Sequence, residues 1–510
     1  MRSTVTVWKG GTYLRITDYK APFVQDVIMP FCRRRLYRLG QVPIPGTRQK
    51  RTVVTHSFAR LNNDRSEFRI SAGLLDDFIQ FMEGVGYKQS RVKIKDEPVI
   101  KGKDVGFKWK EGWGAPRAHQ EDWCEYQLAE GPVKVNNAQT GDGKTFMATH
   151  TMVNTGKRTL ITCLPRYVSI WFESLGNSVE LNPEDIMLVG NGKIEEAAET
   201  IKEGRADPKI VILPLTRYDT YLKREREEDI PCLDEVFSDM EIGLRIMDEA
   251  HEDIYRVYMS MLFGNFEKTI ALSATLKADD PFVNDIYRYV YPPAMRLKEP
   301  EYKKFIDVIA YHHYIDMQKY RINTKGFGGY SHVKYEQAIL KSPKLYSQYL
   351  DLCKQAFEEF YVNDHKEGQK CLWFFSTVEM ATRMKEDFEE AYPDMDIWKF
   401  TNTESKNKET EMSYMEHQVV FTTPQSCGTG KDIPDLAVAF SPYACSSRQR
   451  NDQMLGRTRP LKNYPGDNPK FVYFVCSSIP KQKEYHQKRK QLFAVKSKSH
   501  RNINSFHHIT

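Results

Sequence analysis

The sequence predicts two parallel-sheet α/β lobes in series behind a small α+β unit. Two series of strand-like runs and a different opening carry that prediction. Between about 117 and 295, runs that are apolar throughout (VKVNNA, TLITCLP, KIVILPLT, GLRIMDEA, KTIALSAT) alternate with helix-like segments, and each run ends at a polar turn. A second series, KCLWFFST, DIWKFTN, HQVVFTTP, LAVAFSP and KFVYFVCS, follows after about 300. Strands apolar on both sides belong to a parallel sheet covered on both faces. The first hundred residues lack such runs and alternate instead.

Taken in order, residues 1–105 form the small unit. Stretches 4–8 and 12–16 alternate as half-buried strands do. LLDDFIQFMEG at 74–84 places its apolar residues at helical spacing. The stretch 101–116 is rich in Gly, Lys and Trp, and 106–116 is predicted as a linker. The first lobe then spans 117–295 and the second 296–480, and 481–510 is expected as a basic tail. No short-period repeat interrupts this organisation.

Composition narrows the class. With 40% hydrophobic and 28% charged residues, the 510-residue chain has the profile of a soluble protein with a substantial core. No run of about eighteen apolar residues occurs, so neither a membrane span nor a membrane partner is expected. The opening MRSTVTVWKGG lacks the apolar stretch of a secretory signal. The nine cysteines form no CxxC pair and no cluster at zinc spacing, which points to a reducing cytoplasm. Net charge is +6 but unevenly spread. Residues 1–51 hold eleven Lys and Arg against two acidic residues, and 481–510 hold eight against one. Basic ends around an acidic body suit a partner with a phosphate backbone, and solvated surface faces are the plainer reading.

The strongest local signal is AQTGDGKT at 138–145, after the strand-like run 133–137 and before a helix-like FMATHTMV. A glycine-containing turn at a helix N-terminus leaves backbone N–H groups free to face phosphates. Gln139, Thr140, Gly141, Asp142 and Gly143 supply that cradle. Lys144 is expected at the β- and γ-phosphates, and Thr145 at Mg²⁺. About a hundred residues on, DEAH at 248–251 closes an apolar strand. Hydrolysis of a phosphoanhydride needs one carboxylate on the metal and a second group orienting water. Asp248 is assigned the first role and Glu249 the second. Next, LSAT at 272–275 offers two hydroxyls to the acidic pair, with a simple helix cap as the rival reading.

The second lobe supplies GTGKD at 428–432 and QMLGRTR at 453–459. Gly430 and Asp432 are assigned to the nucleotide. An arginine entering a nucleotide site from another lobe stabilises charge on the transferring phosphoryl group. Arg457 is the candidate for that role, with Gln453 beside the γ-phosphate.

The order AQTGDGKT, DEAH, SAT, GTGKD, QMLGRTR resembles the motif series of superfamily 2 helicases and covers about 120–460. The resemblance implies two RecA-like lobes, ATP with Mg²⁺ between them, and nucleic acid across both. It also implies roles at matching positions. Gln120 resembles the upstream glutamine that reads adenine. Pro165, Arg166, Thr216 and Arg217 resemble backbone contacts of the first lobe, and Ser376, Thr401 and Thr422 those of the second. Such contacts grip without reading sequence.

One departure stands out: the family's QxxGRxxR ends here in Pro460, and Arg459 arrives one place early. Arg457 carries over, whereas the role of Arg459 stays open. The N-terminal YLRITDYKAPFVQDVIMPF and SAGLLDDFIQFMEGVGYK are similar to the accessory domain of UvsW-type bacteriophage helicases. That similarity implies remodelling of forks, Holliday junctions, D-loops or R-loops, in a host cytoplasm, with branched or duplex DNA or an RNA–DNA hybrid as partner. Arg33, Arg34, Arg35 and Arg38 are the expected contacts, with Phe31 and Tyr37 read as core. An RNA helicase, a duplex translocase without strand separation, a viral packaging ATPase and an ATP-gated binding module are the rivals.

Overall fold

The alternating stretches near the N-terminus pair as β1 (Val5–Lys9) and β2 (Tyr13–Thr17), which run antiparallel with Val7 opposite Ile16. In the computed structural model, residues 4–44, 49–139, 141–190, 193–274, 276–297, 304–326, 329–401, 416–426 and 433–510 are described. They divide into two units, Met1–Glu299 and Pro300–Thr510.

In the first unit, α1 (Ala21–Phe23) and α2 (Met29–Arg35) join through a π turn into one helical run. Then β3 (Tyr37–Pro43) and β4 (Lys50–Ser57) form a separate antiparallel ribbon. The strands β5 (Arg60–Leu61) and β6 (Phe68–Ser71), helix α3 (Leu75–Gly84) and strand β7 (Val92–Asp96) complete the small sheet. Its order is β5-β6-β2-β1-β7, with β7 parallel to β1.

A parallel sheet follows. Its helices and strands are α4 (Glu121–Leu128), β8 (Val133–Asn136), α5 (Lys144–Thr155), β9 (Thr159–Cys163) and α6 (Val168–Ser178). After these come β10 (Ile186–Leu188), α7 (Ile194–Lys202), β11 (Ile210–Pro214), α8 (Thr216–Arg224) and α9 (Leu233–Asp239). Last are β12 (Leu244–Met247), α10 (Ile254–Met261), β13 (Lys268–Leu272) and α11 (Pro281–Val290). The order is β10-β11-β9-β12-β13-β8.

Both faces are covered, as the apolar runs require. Ile161 and Cys163 of β9 pack with Met152 of α5 and Trp171 of α6. Leu160 points the other way, into a core shared with Val7, Leu14 and Phe68 of the N-terminal sheet. The expected separate accessory unit is therefore fused to the first lobe. Polar contacts reinforce the seam: Thr12 Oγ1 donates to the Met261 carbonyl at 2.7 Å, and Ser71 Oγ to that of Tyr289 at 2.7 Å. The expected linker is also docked. Trp109 bridges to Val179 and stacks on Phe146 at 5.7 Å, and the Lys110 N–H donates to the Ser178 carbonyl at 3.0 Å.

The second unit starts with β14 (Asp307–Ile315), which was not among the apolar runs, and a small hairpin, β15 (Lys325–Gly326) with β16 (Gly329–Tyr330). Helices α12 (His332–Lys341) and α13 (Pro343–Phe357) lead to β17 (Lys370–Phe374), α14 (Val378–Ala391), β18 (Ile397–Phe400) and β19 (Val419–Thr422). The chain continues through β20 (Leu436–Ser441), α15 (Arg448–Leu455), β21 (Lys470–Cys476), α16 (Pro480–Lys496) and β22 (Ser499–Ile509). Its parallel sheet runs β18-β19-β17-β20-β21-β14-β22.

Residues 481–510 are thus not a tail. β22 pairs in parallel with β14, and α16 buries Gln482, His486, Arg489, Leu492 and Phe493. Among the described residues, no helix is long and apolar enough to cross a membrane.

Candidate nucleotide site

Strand order brings three sequence motifs together. β8, β13 and β12 are neighbours, so the loops leaving their carboxyl ends share one edge of the sheet. Open parallel sheets hold ligands in the crevice outside those ends.

The loop after β8 needs its glycines. Gly141 (φ 93°) and Gly143 (φ 86°) occupy the left-handed region, which glycine enters at little cost. A Cβ on Gly143 would also collide with the Gln120 carboxamide. Helix α5 starts at Lys144 directly after Gly143, so its N-terminal N–H groups face the loop. The loop is closed on its own groups. The Asp142 carboxylate accepts the Gln139 N–H at 2.9 Å, and the Lys144 ammonium donates to the carbonyls of Ala138 and Gln139 at 3.2 Å each. Buried Gln120 clamps it from outside, accepting the Arg117 N–H at 3.0 Å and donating to the Asp142 carbonyl at 2.8 Å. One N–H of its amide thus engages the loop, beside the adenine contact expected of it. Thr145 lies half-buried in the first turn of α5. Thr140 lies outside the described residues.

After β12, Asp248 is held from three sides. Its N–H donates to the Thr162 carbonyl at 2.9 Å, its Oδ1 accepts the Glu249 N–H at 2.9 Å, and its Oδ2 accepts the Trp171 indole N–H at 2.9 Å. Burial, with the Glu249 charge added, pushes the Asp248 carboxyl well above the usual carboxylate range. Glu249 itself has φ 45°, a left-handed conformation that costs a side-chain-bearing residue on the order of 1 kcal/mol. Its Oε2 lies 3.1 Å from His251 Nδ1, and the same nitrogen lies 3.1 Å from Ser273 Oγ. The serine thus meets the acidic pair through the imidazole. The Ser273 N–H donates to the Asn136 carbonyl at 3.0 Å, tying β13 to β8. Thr275 lies outside the described residues.

A magnesium ion fits this donor set. Mg²⁺ takes oxygen ligands, commonly one or two from protein and the rest from phosphate and water. The Thr145 hydroxyl and Asp248 carboxylate are of that kind. Among the described residues, no cluster of His, Cys, Asp or Glu could hold a metal unaided.

In the second unit, Gln453 is half-buried on α15, and Arg457 is buried just past the helix end, its N–H on the Met454 carbonyl at 3.2 Å. Helix α16 braces α15 from behind. Arg489 Nε donates to Asn451 Oδ1 at 2.8 Å, and Lys496 pairs with Asp452 at 2.7 Å. Arg459 is half-buried, while Gly430 and Asp432 lie outside the described residues. The loop after β17 is pinned by fully buried Glu336 of α12. One oxygen accepts the Ser376 N–H at 2.7 Å, and the other accepts the Thr377 N–H at 2.8 Å and the Thr377 hydroxyl at 2.7 Å.

The expected nucleic-acid residues divide by exposure. Arg33, Arg34 and Arg35 are exposed at the end of α2, and Arg38 is exposed on β3, where it pairs with Asp280 at 2.9 Å. Phe31 is buried, as expected. Exposed Arg166 pairs with Glu252 beside Pro165, Thr216 is exposed at the start of α8, and Arg217 is half-buried. Ser376 is half-buried, its N–H already engaged by Glu336. Thr401 and Thr422 are fully buried, and the Thr422 hydroxyl donates to the Phe400 carbonyl at 2.6 Å.

No family model matches the sequence, and no curated protein matches it. Solved structures do match in the course of the chain. Helicase Lhr of Mycobacterium smegmatis, bound to single-stranded DNA and AMP-PNP, is 14% identical with a TM-score of 0.46; the match covers 71% of this chain and 46% of that one. This chain therefore spans about half the length of that Lhr chain. T4 UvsW is 12% identical over 98% of this chain and 99% of that one, at a TM-score of 0.34. Dbp5 of S. cerevisiae, bound to RNA and ADP BeF3, is 12% identical over 77% and 90%, at a TM-score of 0.48.

Four residues around these motifs escape sequence reasoning: Trp171, His251, Glu336 and Arg489. Trp171 and Glu336 reach their partners across 77 and about 40 residues, so no local pattern marks them. His251 adjoins the acidic pair, but its residue type alone assigns it no role there. Arg489 sits in a basic run that reads as solvated.

Proposed function

We propose that the chain is an ATP-driven nucleic-acid motor of the superfamily 2 helicase type. One observation carries this reading. The glycine-bearing loop at the start of α5, the Asp248–Glu249 pair and Ser273 stand on the adjoining strand ends of β8, β12 and β13. A phosphate cradle beside a metal-binding carboxylate and a water-orienting carboxylate is the equipment of NTP hydrolysis.

In this reading Lys144 leaves the Ala138 and Gln139 carbonyls for the β- and γ-phosphates, and the loop N–H groups hold the rest of the triphosphate. Asp248 and Thr145 would hold Mg²⁺, which would supply positive charge to offset that of the phosphates. Glu249 orients the attacking water, and His251 fixes the Glu249 carboxylate. Gln453 and Arg457 are assigned to the γ-phosphate, where Arg457 acts mainly in the transition state. The finer reading is remodelling of branched DNA by a phage enzyme. Arg33, Arg34, Arg35, Arg38, Arg166, Thr216, Arg217 and Ser376 would contact nucleic acid in it.

Phosphate release tests the proposal, measured without nucleic acid and with single-stranded DNA, duplex, forks, four-way junctions, R-loops and RNA. Stimulation that is lost in Lys144→Ala supports a motor, and greater stimulation by forks and junctions than by duplex or RNA supports branched DNA. Stimulation by RNA alone would replace the substrate class. No hydrolysis under any condition would reject the motor.

A further inference from the structure

We propose that Trp171 is a positioning residue for the metal: its indole N–H holds one oxygen of Asp248 so that the carboxylate presents its remaining lone pairs to the phosphate loop. This inference rests on the function proposed above.

Trp171 sits on α6 with no exposed surface, packed among Met152 of α5, Ile161 and Cys163 of β9 and Leu175 of its own helix. A tryptophan buried this deeply must find an acceptor for its N–H. A backbone carbonyl or a hydroxyl would satisfy it without cost. Its acceptor here is Asp248 Oδ2, at 2.9 Å, across 77 residues of sequence. The opposite oxygen, Oδ1, takes the Glu249 N–H at 2.9 Å. An ionised carboxylate offers about four acceptor positions. Two are occupied, one on each oxygen, and both donors are rigid: a backbone amide at a strand end and a ring locked in the core. The carboxylate therefore has no freedom to turn, and its other two positions have a fixed direction.

Metal ligands are commonly held this way by a second group, and removing that group costs roughly ten- to a hundredfold in metal affinity or activity. A hydrogen bond to an ionised acceptor is also about twice as strong as a neutral one, and a bound cation would hold Asp248 in that form. The bond carries a second consequence. The α6 core and the metal site share one atom pair, so a change of charge at Asp248 is felt by the indole.

Two measurements test the inference. Trp171→Phe keeps a large ring in the core and deletes only the donor. A fluorescent ATP analogue is titrated against wild type and variant at a series of Mg²⁺ concentrations and in EDTA. The expected result is a Mg²⁺ midpoint raised about tenfold, with metal-free nucleotide affinity within about twofold of wild type. Trp171→His, which restores a ring N–H, should recover part of the shift. An unchanged midpoint in a folded Trp171→Phe protein would overturn the proposal.

The second measurement needs no variant at this position. Fluorine NMR of 5-fluorotryptophan protein, with the other six tryptophans assigned by substitution, isolates the Trp171 resonance. It should move on adding Mg²⁺ with nucleotide, and not with nucleotide in EDTA. A resonance indifferent to Mg²⁺ would count against the bond's role. If wild type and Lys144→Ala took up the analogue equally, or neither took it up, the nucleotide reading itself would fall, a separate outcome.

Discussion

Two loops, one after β12 and one after β17, each meet a carboxylate held by protein donors, and they use it differently. Glu336 comes from α12 and spends both oxygens on the Ser376 N–H and on the N–H and hydroxyl of Thr377. It is a scaffold, with three of its roughly four acceptor positions taken by protein donors. Asp248 belongs to its own loop, and each of its oxygens accepts one bond and keeps room for another. Beside it, Glu249 stands in a left-handed conformation. A buried carboxylate whose acceptor positions are mostly taken by protein donors supports structure. One with acceptor positions left over supports chemistry.

Substitutions can break that contrast. The largest effect is expected at Glu249→Gln, where loss of the water-orienting group should slow hydrolysis about a thousandfold. Nucleotide affinity and melting temperature should stay close to wild type, and undiminished phosphate release would refute the assignment. Glu336→Ala should do the reverse. It strands two N–H groups and a hydroxyl, so unfolding in urea should show the second unit destabilised by about 3 kcal/mol. A melting curve unchanged from wild type would show that water replaces the carboxylate without cost.

Asp248→Asn sharpens the comparison through its sign. A carboxyl raised above its unfolded value disfavours the fold at neutral pH, because the native state holds the charge poorly. That penalty vanishes as the pH falls and the group protonates. An amide carries no charge at any pH but offers one oxygen where the carboxylate offers two, so either the Trp171 or the Glu249 N–H is left facing an NH2 group; the variant should lose hydrolysis and should lose more stability relative to wild type near pH 4 than at pH 7. Equal losses at the two pH values, read from urea unfolding, would contradict this account. The smallest effect is expected from Thr377→Val, which removes one of the three donors to Glu336 and the cap on the Met380 N–H. About 1 kcal/mol of stability should go with it, read from urea unfolding.

Most strands were legible because a doubly covered parallel sheet leaves them no polar side. β14 escaped because its run DVIAYHHYI carries two histidines, of which buried His313 touches the Tyr335 hydroxyl at 3.3 Å. β10 escaped for want of length: three residues show no pattern. The α16–β22 segment was hidden by chemistry. Its buried stripe contains Gln482, His486 and Arg489, which a polar–apolar reading assigns to solvent, and each is paired inside. At the site, residue types at fixed spacing exposed the loop and the acidic pair. What surrounds them came from remote elements, such as Trp171 on Asp248 and Gln120 on the phosphate loop.

The pairing of β14 with β22 bears on how the protein is made. His312 waits 190 residues for Asn502 to reach it, so during synthesis the flank of β14 stands bare while the rest of its sheet is still being translated. Such an unpaired flank is a template for other nascent chains. Slow translation or crowded polysomes should therefore favour clumping of this half.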